Sequence, residues 1–447
     1  MSRILIGNSF SEELVGTYGK RPGTIWSHRL LWFAQDHDIL VFPNRPTDEF
    51  LEYIATLKGL DLETSSIVVP PPGVEEGWDR LTADRVMDPL FRGSLEREIA
   101  GRQIEEVIPL FPDASIAWLA AALGIEDALP GAAFLRQGGG TLINSKAVFR
   151  AVAAGAGVPI PSGSVCLDQY RAQYVISDLL DQGHPVIVKR ELRSAGDGNE
   201  IRSPHADFPP VGARRTVVVN DHRAVRGYLD QRWDWLSSNG RNRVVIEQYY
   251  PHSRAVFTEF RLTDSGCAFT GQGEMIAAPL ADRQMIPVRD MPAAVVDEVI
   301  RQGRVLSAVM HAVGYRGYLS CDAIVTPQCQ VLFSEYNGRI TGSTHIYKVI
   351  GEQLVGPDYA ERHHLWELSD WSVPSFVAAR GGLGAQGLAY DAASRTGVIL
   401  LNDRAASGTI NYCVVADSRE SAAEYRAAVK GIFEDCRYQH DRMGSMA

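Results

Sequence analysis

The sequence predicts a multidomain protein of mixed class. A doubly wound parallel α/β sheet is expected at the N-terminal end, an α+β core in the middle and a small α+β domain at the C-terminal end. Three observations predict this. Strand-like and helix-like segments alternate through residues 1–135; a β-hairpin pattern carrying acids occupies Arg316–His345; and glycine-rich punctuation falls near residues 137–140 and 381–387. A chain of 447 residues also exceeds what one hydrophobic core organises. The expected domains are 1–135, 136–385 and 386–447.

Composition narrows the function. Hydrophobic content of 45% and charged content of 22% are those of an ordinary soluble globular protein. A net charge of -10 argues against nucleic acid as main partner, because neutralising phosphates needs a basic surface. No run approaches the length of a membrane span, so no membrane partner is expected. The start, MSRILIGNSF, lacks the apolar region of a signal peptide and reads as a first strand. The six cysteines show neither a C-x-x-C pair nor zinc spacing, and a reduced, cytoplasmic protein is the expectation.

In the N-terminal domain, strands are expected at Arg3–Gly7, Asp38–Phe42, Ser66–Val69 and Glu106–Leu110. Trp26, Leu30 and Phe33, at i, i+4 and i+7, predict a helix near Thr24–Gln35, and Asp48–Lys58 and Ser115–Leu123 are further helices. The first turn, GNSFSEELVG, is not a G-x-G-x-x-G fingerprint, so no dinucleotide is assigned. Pro130 and the QGGG of residues 137–140 mark a boundary. A helix over Ser145–Ala154 follows, stopped by Gly155, Gly157 and Pro159. Lys146 lies in its first turn, where a cation opposes the helix dipole unless it meets an anion.

Val186–Arg190 reads as an apolar strand carrying Lys189, and the loop after it, Arg193–Asn199, holds Arg193, Ser194, Gly196 and Gly198. Free backbone N–H groups in such a loop suit phosphate oxygens. No P-loop occurs anywhere. Val244–Gln248 is a further strand, and Glu259 with Arg261 reads either as site-facing charge or as a cross-strand pair. A helix after Pro292 runs to about Ala312, with Val296, Val299, Leu306 and Met310 as its buried stripe.

The hairpin carries the chemistry. Tyr318–Val325 and Val331–Asn337 are β-prone and flank the turn TPQCQ. Strand alternation puts Val331, Phe333, Glu335 and Asn337 on one face, followed by Arg339, and Tyr318, Ser320, Asp322 and Ile324 on a face of the first strand. With the loop centred on Gln328–Cys329, Asp322 lies opposite Glu335, with Cβ atoms roughly 5 Å apart. Two carboxylates that close destabilise a hairpin unless a cation sits between them. With the Asn337 amide they form a hard oxygen cluster suited to Mg2+. The competing reading, a solvated sheet face, is disfavoured by Val331 and Phe333 on that face. Past the hairpin, His345 follows the small residues Thr341–Thr344 and is either structural or a polar site residue.

GGLGAQG, residues 381–387, formally contains G-x-G-x-x-G but lacks a surrounding βαβ unit, and reads as a flexible linker. Gly397–Asn402 and Thr409–Val415 then form a strand pair, and Ser418–Phe433 a helix.

The spacing D-x(12)-E-x-N-x-R, taken with NSKAVFRAVAAGAGVPIPSG, HPVIVKRELRSAGDGNEI and RVVIEQYY in that order, resembles the ATP-grasp superfamily over roughly residues 140–380. The resemblance implies a two-subdomain core holding ATP and Mg2+. It implies that Lys146 and Lys189 reach phosphates and that the Gly-rich loop closes over them. Glu247, Gln248, Tyr249 and Tyr250 would form the adenine hinge, and Asp322, Glu335 and Asn337 would hold the metal. Arg339 would orient a carboxylate or stabilise an oxyanion, and His345 would be a general base or a substrate contact. Many relatives carry a ribose-binding acid about seven residues past the hinge acid, where this chain has Arg254.

The implied activity is a carboxylate–amine ligase of peptide natural-product biosynthesis. It would join a carboxylic acid donor, a guanidino acid, to the amine of an amino acid or peptide, releasing ADP and phosphate. A homodimer is compatible with it. A small-molecule kinase and a non-catalytic nucleotide-binding module stay open as alternatives.

Overall fold

The computed structural model describes residues 2–9, 27–73, 80–194, 196–204, 210–219, 221–277, 279–403 and 408–433. The N-terminal strands β1 (Ser2–Ile6), β2 (Ile39–Val41), β3 (Ser66–Val68) and β4 (Ile104–Pro109) form a parallel sheet in the order β3-β2-β1-β4. The chain returns beside β1 for β4, which is the doubly wound arrangement expected from strand–helix alternation. The helix Asp48–Lys58 starts at Thr47, whose side chain accepts from Phe50 N, and ends at Gly59 in the left-handed region. Of the helix expected near Thr24–Gln35, the described part is a 3-10 turn, His28–Phe33, with Leu30, Leu31, Trp32 and Phe33 all buried. Thr24, Trp26 and most of the GNSFSEELVG turn lie outside the described residues.

A five-stranded sheet follows. Its strands are β5 (Gly163–Cys166), β6 (Val186–Arg190), β7 (Asn199–Ser203), β8 (Thr216–Val218) and β9 (Val244–Gln248), ordered β5-β9-β6-β7-β8. Helices Gln169–Asp181 and His222–Leu236 cover one face through Val175, Ile176, Leu179, Val225 and Leu229. The other face, with Ile187, Lys189 and Glu247, lines a cavity.

The third sheet has eight strands: β10 (Arg254–Thr263), β11 (Gly266–Ala277), β12 (Ala281–Ile286), β13 (Gly317–Val325), β14 (Val331–Asn337), β15 (His364–Ser372), β16 (Gly397–Leu400) and β17 (Thr409–Ala416). Their order is β14-β13-β10-β11-β12-β15-β17-β16, antiparallel throughout. The C-terminal pair β16 and β17 therefore extends the sheet of the core, and the helix Arg419–Gly431 packs on it through Ala422 and Val429. The helix Ala293–Ala312 buries Val299, Leu306 and Met310 as expected, with Val296 partly buried.

Two local readings change. GGLGAQG is not a linker, because Gly381–Ala385 complete the helix Phe376–Ala385. A Cβ on Gly382 would come within 2.7 Å of Ile432, so the glycine lets this helix approach the chain end beyond Arg419–Gly431. The hairpin also carries a bulge. Asp322 pairs with Glu335 but Ala323 pairs with Phe333, which leaves Ser334 as the extra residue. The bulge reverses the alternation, so Val331 and Phe333 turn into the core with Tyr336 while Glu335 and Asn337 face the cavity. Val331 and Phe333 thus do not share the face of Glu335. Among the described residues, no helix is long and apolar enough to cross a membrane, and the described cysteines are free thiols.

Candidate active site

The five-stranded and eight-stranded sheets enclose a cavity of about 550 Å3. Its wall includes Lys189, Ser194, Gly196, Glu247, Gln248, Tyr249 and Tyr250 on one side, and Asp322, Glu335, Asn337, Arg339 and His345 on the other. Of the residues expected at the site, Lys146, Arg193 and Gly198 stand behind this wall rather than in it.

Lys146 is placed by a short chain of contacts. Ser145 caps the helix Lys146–Gly155 by accepting from Val148 N, and its hydroxyl donates to Glu191 at 2.5 Å. Phe149, one turn on, packs edge-on against Tyr336 with ring centroids 5.3 Å apart. Tyr336 points to the core, so its neighbour Glu335 points the other way, onto Lys146 Nζ at 2.9 Å. The anion that a first-turn lysine needs is therefore a predicted metal ligand. Lys146 also donates to the carbonyl of Arg193, tying the helix to the start of the Gly-rich loop. In that loop Gly196 sits at φ +75, and a Cβ there would lie 2.7 Å from the Gly212 carbonyl oxygen. Only glycine fits.

Lys189 projects from β6 onto Glu247 at 2.5 Å, and Arg150 binds the other oxygen of Glu247 at 2.5 Å. Glu247 is 1% exposed; Arg150 hydrogen-bonds one of its oxygens, and the other meets Lys189 as an ion pair without a hydrogen bond. It orients the lysine and is itself held rigid. The hinge amides are partly spent: Gln248 N donates to Ser162 O and Tyr249 N to Pro185 O, each at 2.7 Å. Among the described residues, the N–H of Tyr250 has no backbone acceptor and is left to read a ligand edge. Arg254 does not occupy an empty acid position. It makes a two-pronged pair with Glu274 of β11, at 2.8 and 2.5 Å, and both line the cavity.

The two acids of the pair are shifted in opposite directions. Burial, followed by the charge of Glu335, pushes the Asp322 carboxyl up to about 8. Burial also works against the Glu335 charge, but Lys146, Lys189 and Arg339 outweigh it and hold this carboxyl below its usual range. Ser320 and Asn337 donate to Asp322 at 2.8 and 3.0 Å, so Asn337 turns its amide nitrogen to Asp322 and keeps its oxygen for an electropositive partner. Two carboxylates and an amide oxygen, one carboxylate uncompensated, fit a hard divalent cation such as Mg2+. Among the described residues, no cluster of three or more His, Cys, Asp or Glu side chains offers an alternative metal centre.

Arg339 donates to Asn144 and lies over Phe111, with its guanidinium carbon 5.7 Å from the ring centroid, which aims it across the cavity. His345 is 3% exposed, and no hydrogen-bond partner reaches its Nδ1. Burial and the charge of Arg29 hold its pKa well below the usual value, so it is neutral near pH 7. Arg190 and Arg316 are structural: Arg190 bonds Ser238 and stacks on Trp235, and Arg316 pairs with Asp264.

Glu259 settles one open alternative. Arg261 pairs with Glu106 of the N-terminal domain, not with Glu259. Glu259 is fully buried and accepts from Thr341 at 2.5 Å, Thr344 at 2.9 Å, Tyr347 at 2.7 Å and Ser343. Four hydroxyls thus clamp the small-residue loop after Arg339 onto one carboxylate. Glu259→Ala removes the acceptor and strands the hydroxyls. It is expected to cost about 3–5 kcal/mol of stability and to loosen residues 341–344, and chemical denaturation checks it: an unchanged midpoint would contradict the clamp.

Sequence reasoning missed Arg29, Arg80, Arg283, Gln284, Glu367, Asn402 and Asn411, which also line the cavity. They come from β12, β15 and β17, from the segment just after β16 and from N-terminal segments, and no local spacing links them. Only the strand order brings them together.

Comparisons agree with this architecture. The family model of the Pre ATP-grasp domain matches residues 27–125, and that of the PGM1 C-terminal domain matches residues 381–429. No curated protein matches the sequence. Among solved structures, the chain is similar to N5-carboxyaminoimidazole ribonucleotide synthetase in its ADP complex, at 13% identity and TM-score 0.58, covering 97% of both chains. It is similar to the Campylobacter jejuni biotin carboxylase β-γ-ATP complex, at 13% identity and TM-score 0.55, covering 94% of this chain and 88% of that one. It is also similar to the biotin carboxylase domain of Hydrogenobacter thermophilus 2-oxoglutarate carboxylase, solved with MgADP and bicarbonate, at 13% identity and TM-score 0.55, covering 93% and 86%. At such identity the likeness is one of fold. A parallel N-terminal sheet matched as a Pre ATP-grasp domain, followed by two sheets closing on a common cavity, gives the chain the ATP-grasp fold.

Proposed function

We propose that the chain is an ATP-dependent carboxylate–amine ligase. It activates an acid as an acyl phosphate, couples it to the amine of an amino acid or peptide, and releases ADP and phosphate. The setting we infer is cytoplasmic peptide natural-product assembly. One observation carries the reading: the Asp322–Glu335 pair, with Lys146 behind it on Glu335, lines together with Arg339 the cavity that Lys189 and the hinge strand line from the other side.

The chemistry follows from charge. A carboxylate attacking a terminal phosphate brings two anions together. Lys189, the N–H groups of the loop around Gly196 and Lys146 behind it lower that cost by spreading the charge. Asp322, Glu335 and Asn337 would hold Mg2+, which supplies further neutralisation of phosphate charge when bound. Arg339, anchored by Asn144, orients the attacking carboxylate and then meets the oxyanion formed when the amine adds to the acyl carbon. The clamped loop at 341–344 lines this end and excludes water. The solved biotin carboxylase with MgADP supports the choice of nucleotide and metal.

Hydroxylamine replacing the amine tests the reading. With ATP, Mg2+ and a panel of carboxylic acids that includes guanidino acids, a competent acid is expected to give its hydroxamate. A stable phosphorylated small molecule with no hydroxamate would favour a kinase. No acid-dependent turnover across the panel would favour a binding module.

A further inference from the structure

Among the described residues, five carboxylates line the cavity: Glu247, Glu274, Asp322, Glu335 and Glu367. Four have assigned tasks. Glu247 is held by Arg150 and Lys189, Glu274 by Arg254, and Asp322 with Glu335 forms the metal pair. Glu367 remains. It lies on β15, paired across the sheet with Gln284 of β12 and Cys413 of β17. Asn411 donates to it at 3.2 Å, Gln284 donates as well, and the charge of Arg29 is felt there. Burial raises its pKa, and the charge of Arg29, followed by the two amides, works against that rise, so Glu367 and Arg29 present one anion and one cation at this end of the cavity.

The cations at this end are guanidiniums. Arg29, Arg283 and Arg339 all line it, and the field of Arg29 reaches Glu367, Arg339, Glu259 and His345. Glu259 is already saturated by hydroxyls. With Arg339 given to the acid being activated, Arg29 and Arg283 beside Glu367 suit a ligand carrying both signs of charge: an ammonium for Glu367 and a carboxylate for the arginines. Position says which substrate this is. The acid being activated must lie beside Arg339 and the metal pair. A fixed carboxylate on β15 repels that acid and attracts an amine.

We propose that Glu367, with Asn411 and the Arg29–Arg283 side, forms the subsite for a zwitterionic amine acceptor, a free amino acid or short peptide. Because Asn411 lies on β17, the C-terminal strand pair is part of substrate recognition. The proposal rests on the ligase reading but is tested by binding alone.

The experiment is titration calorimetry of the full chain with MgADP. The probes are the twenty proteinogenic amino acids, glycylglycine, and the N-acetyl derivative and methyl ester of each binder. At least one free amino acid or the dipeptide is expected to bind. Removing its ammonium or its carboxylate should weaken it about tenfold or more, the size of one charge-assisted hydrogen bond. In Glu367→Gln the penalty for N-acetylation should shrink to about threefold or less while the ester penalty persists. Binding of no probe, equal binding of the N-acetyl form to the wild-type chain, or undiminished discrimination in Glu367→Gln would overturn the proposal. So would binding of guanidinoacetate through Glu367 with no amino acid bound, which would assign the acid to the donor. The wild-type comparison stands even if the variant misfolds. Hydroxamate formation without zwitterion binding would sink this inference and leave the ligase reading standing; the reverse result would sink the ligase reading alone.

Discussion

Glu335→Gln is expected to lower turnover by about 1,000-fold or more, because it removes one of two carboxylates that would hold the metal. The fold should survive. The amide that replaces the carboxylate keeps an oxygen for Lys146 to donate to, and the charge that pushes Asp322 upward disappears. The sign of the pH effect follows. With its pKa at about 8 in the fold and 3.8 without it, Asp322 holds a proton in the folded state that the unfolded chain has released. Its contribution to stability is present at low pH and is lost as pH rises from about 4 to 8, at up to about 1.4 kcal/mol per pH unit. The metal-free wild type should therefore lose melting temperature from this pair across that range. Mg2+ with ADP should restore it at the alkaline end, by taking the proton's place. Glu335→Gln should show a shallower slope and melt no lower than wild type at pH 8. Melting curves against pH, with and without MgADP, decide the matter. Wild-type activity in the purified variant, or a steeper slope, would remove the pair from the site.

Lys189→Ala is expected to lower kcat/KM for ATP about 100-fold or more, since it deletes a positioned cation from the cavity wall. Stability should change little, because Arg150 still holds Glu247. Lys146→Ala should differ. It leaves Glu335 facing Asp322 without its cation, so its metal-free form should lose stability as well as activity and regain stability with Mg2+. Nucleotide titration and melting of both variants separate the two roles. Equal nucleotide affinity in wild type and Lys189→Ala would make Lys189 structural.

What the sequence made legible was local. The strand bounds Val186–Arg190, Val244–Gln248 and Val331–Asn337 are those observed, because β-branched runs between turn residues leave little freedom. The opposition of Asp322 and Glu335 was expected, but from an even loop centred on Gln328–Cys329; Val325 in fact pairs with Val331, so the turn is centred on Gln328 and only the inserted Ser334 brings Glu335 opposite Asp322. The bulge at Ser334 was not legible, since one inserted residue leaves the composition of a strand unchanged while reversing its faces. Nor was the partner of Arg254, since Glu274 is twenty residues away on the next strand. The Arg29–Glu367 end depends on strands β12, β15 and β17 becoming neighbours, which is a property of topology. The glycines at 381–387 misled for another reason: Gly381, Gly382 and Gly384 lie within a helix, where Gly382 is a close-packing residue, and composition does not tell a helical glycine from a flexible one.

The central claim is that this cavity directs an acid onto the terminal phosphate of ATP. Activation by transfer of AMP would instead require the charge of the site to gather on the α-phosphate. The most direct measurement is nucleotide chromatography of a complete reaction containing ATP, Mg2+, a competent acid and an amine. The account predicts ADP and phosphate in equal amounts with the new amide. AMP and pyrophosphate as stoichiometric products would contradict it, even if the amide were made.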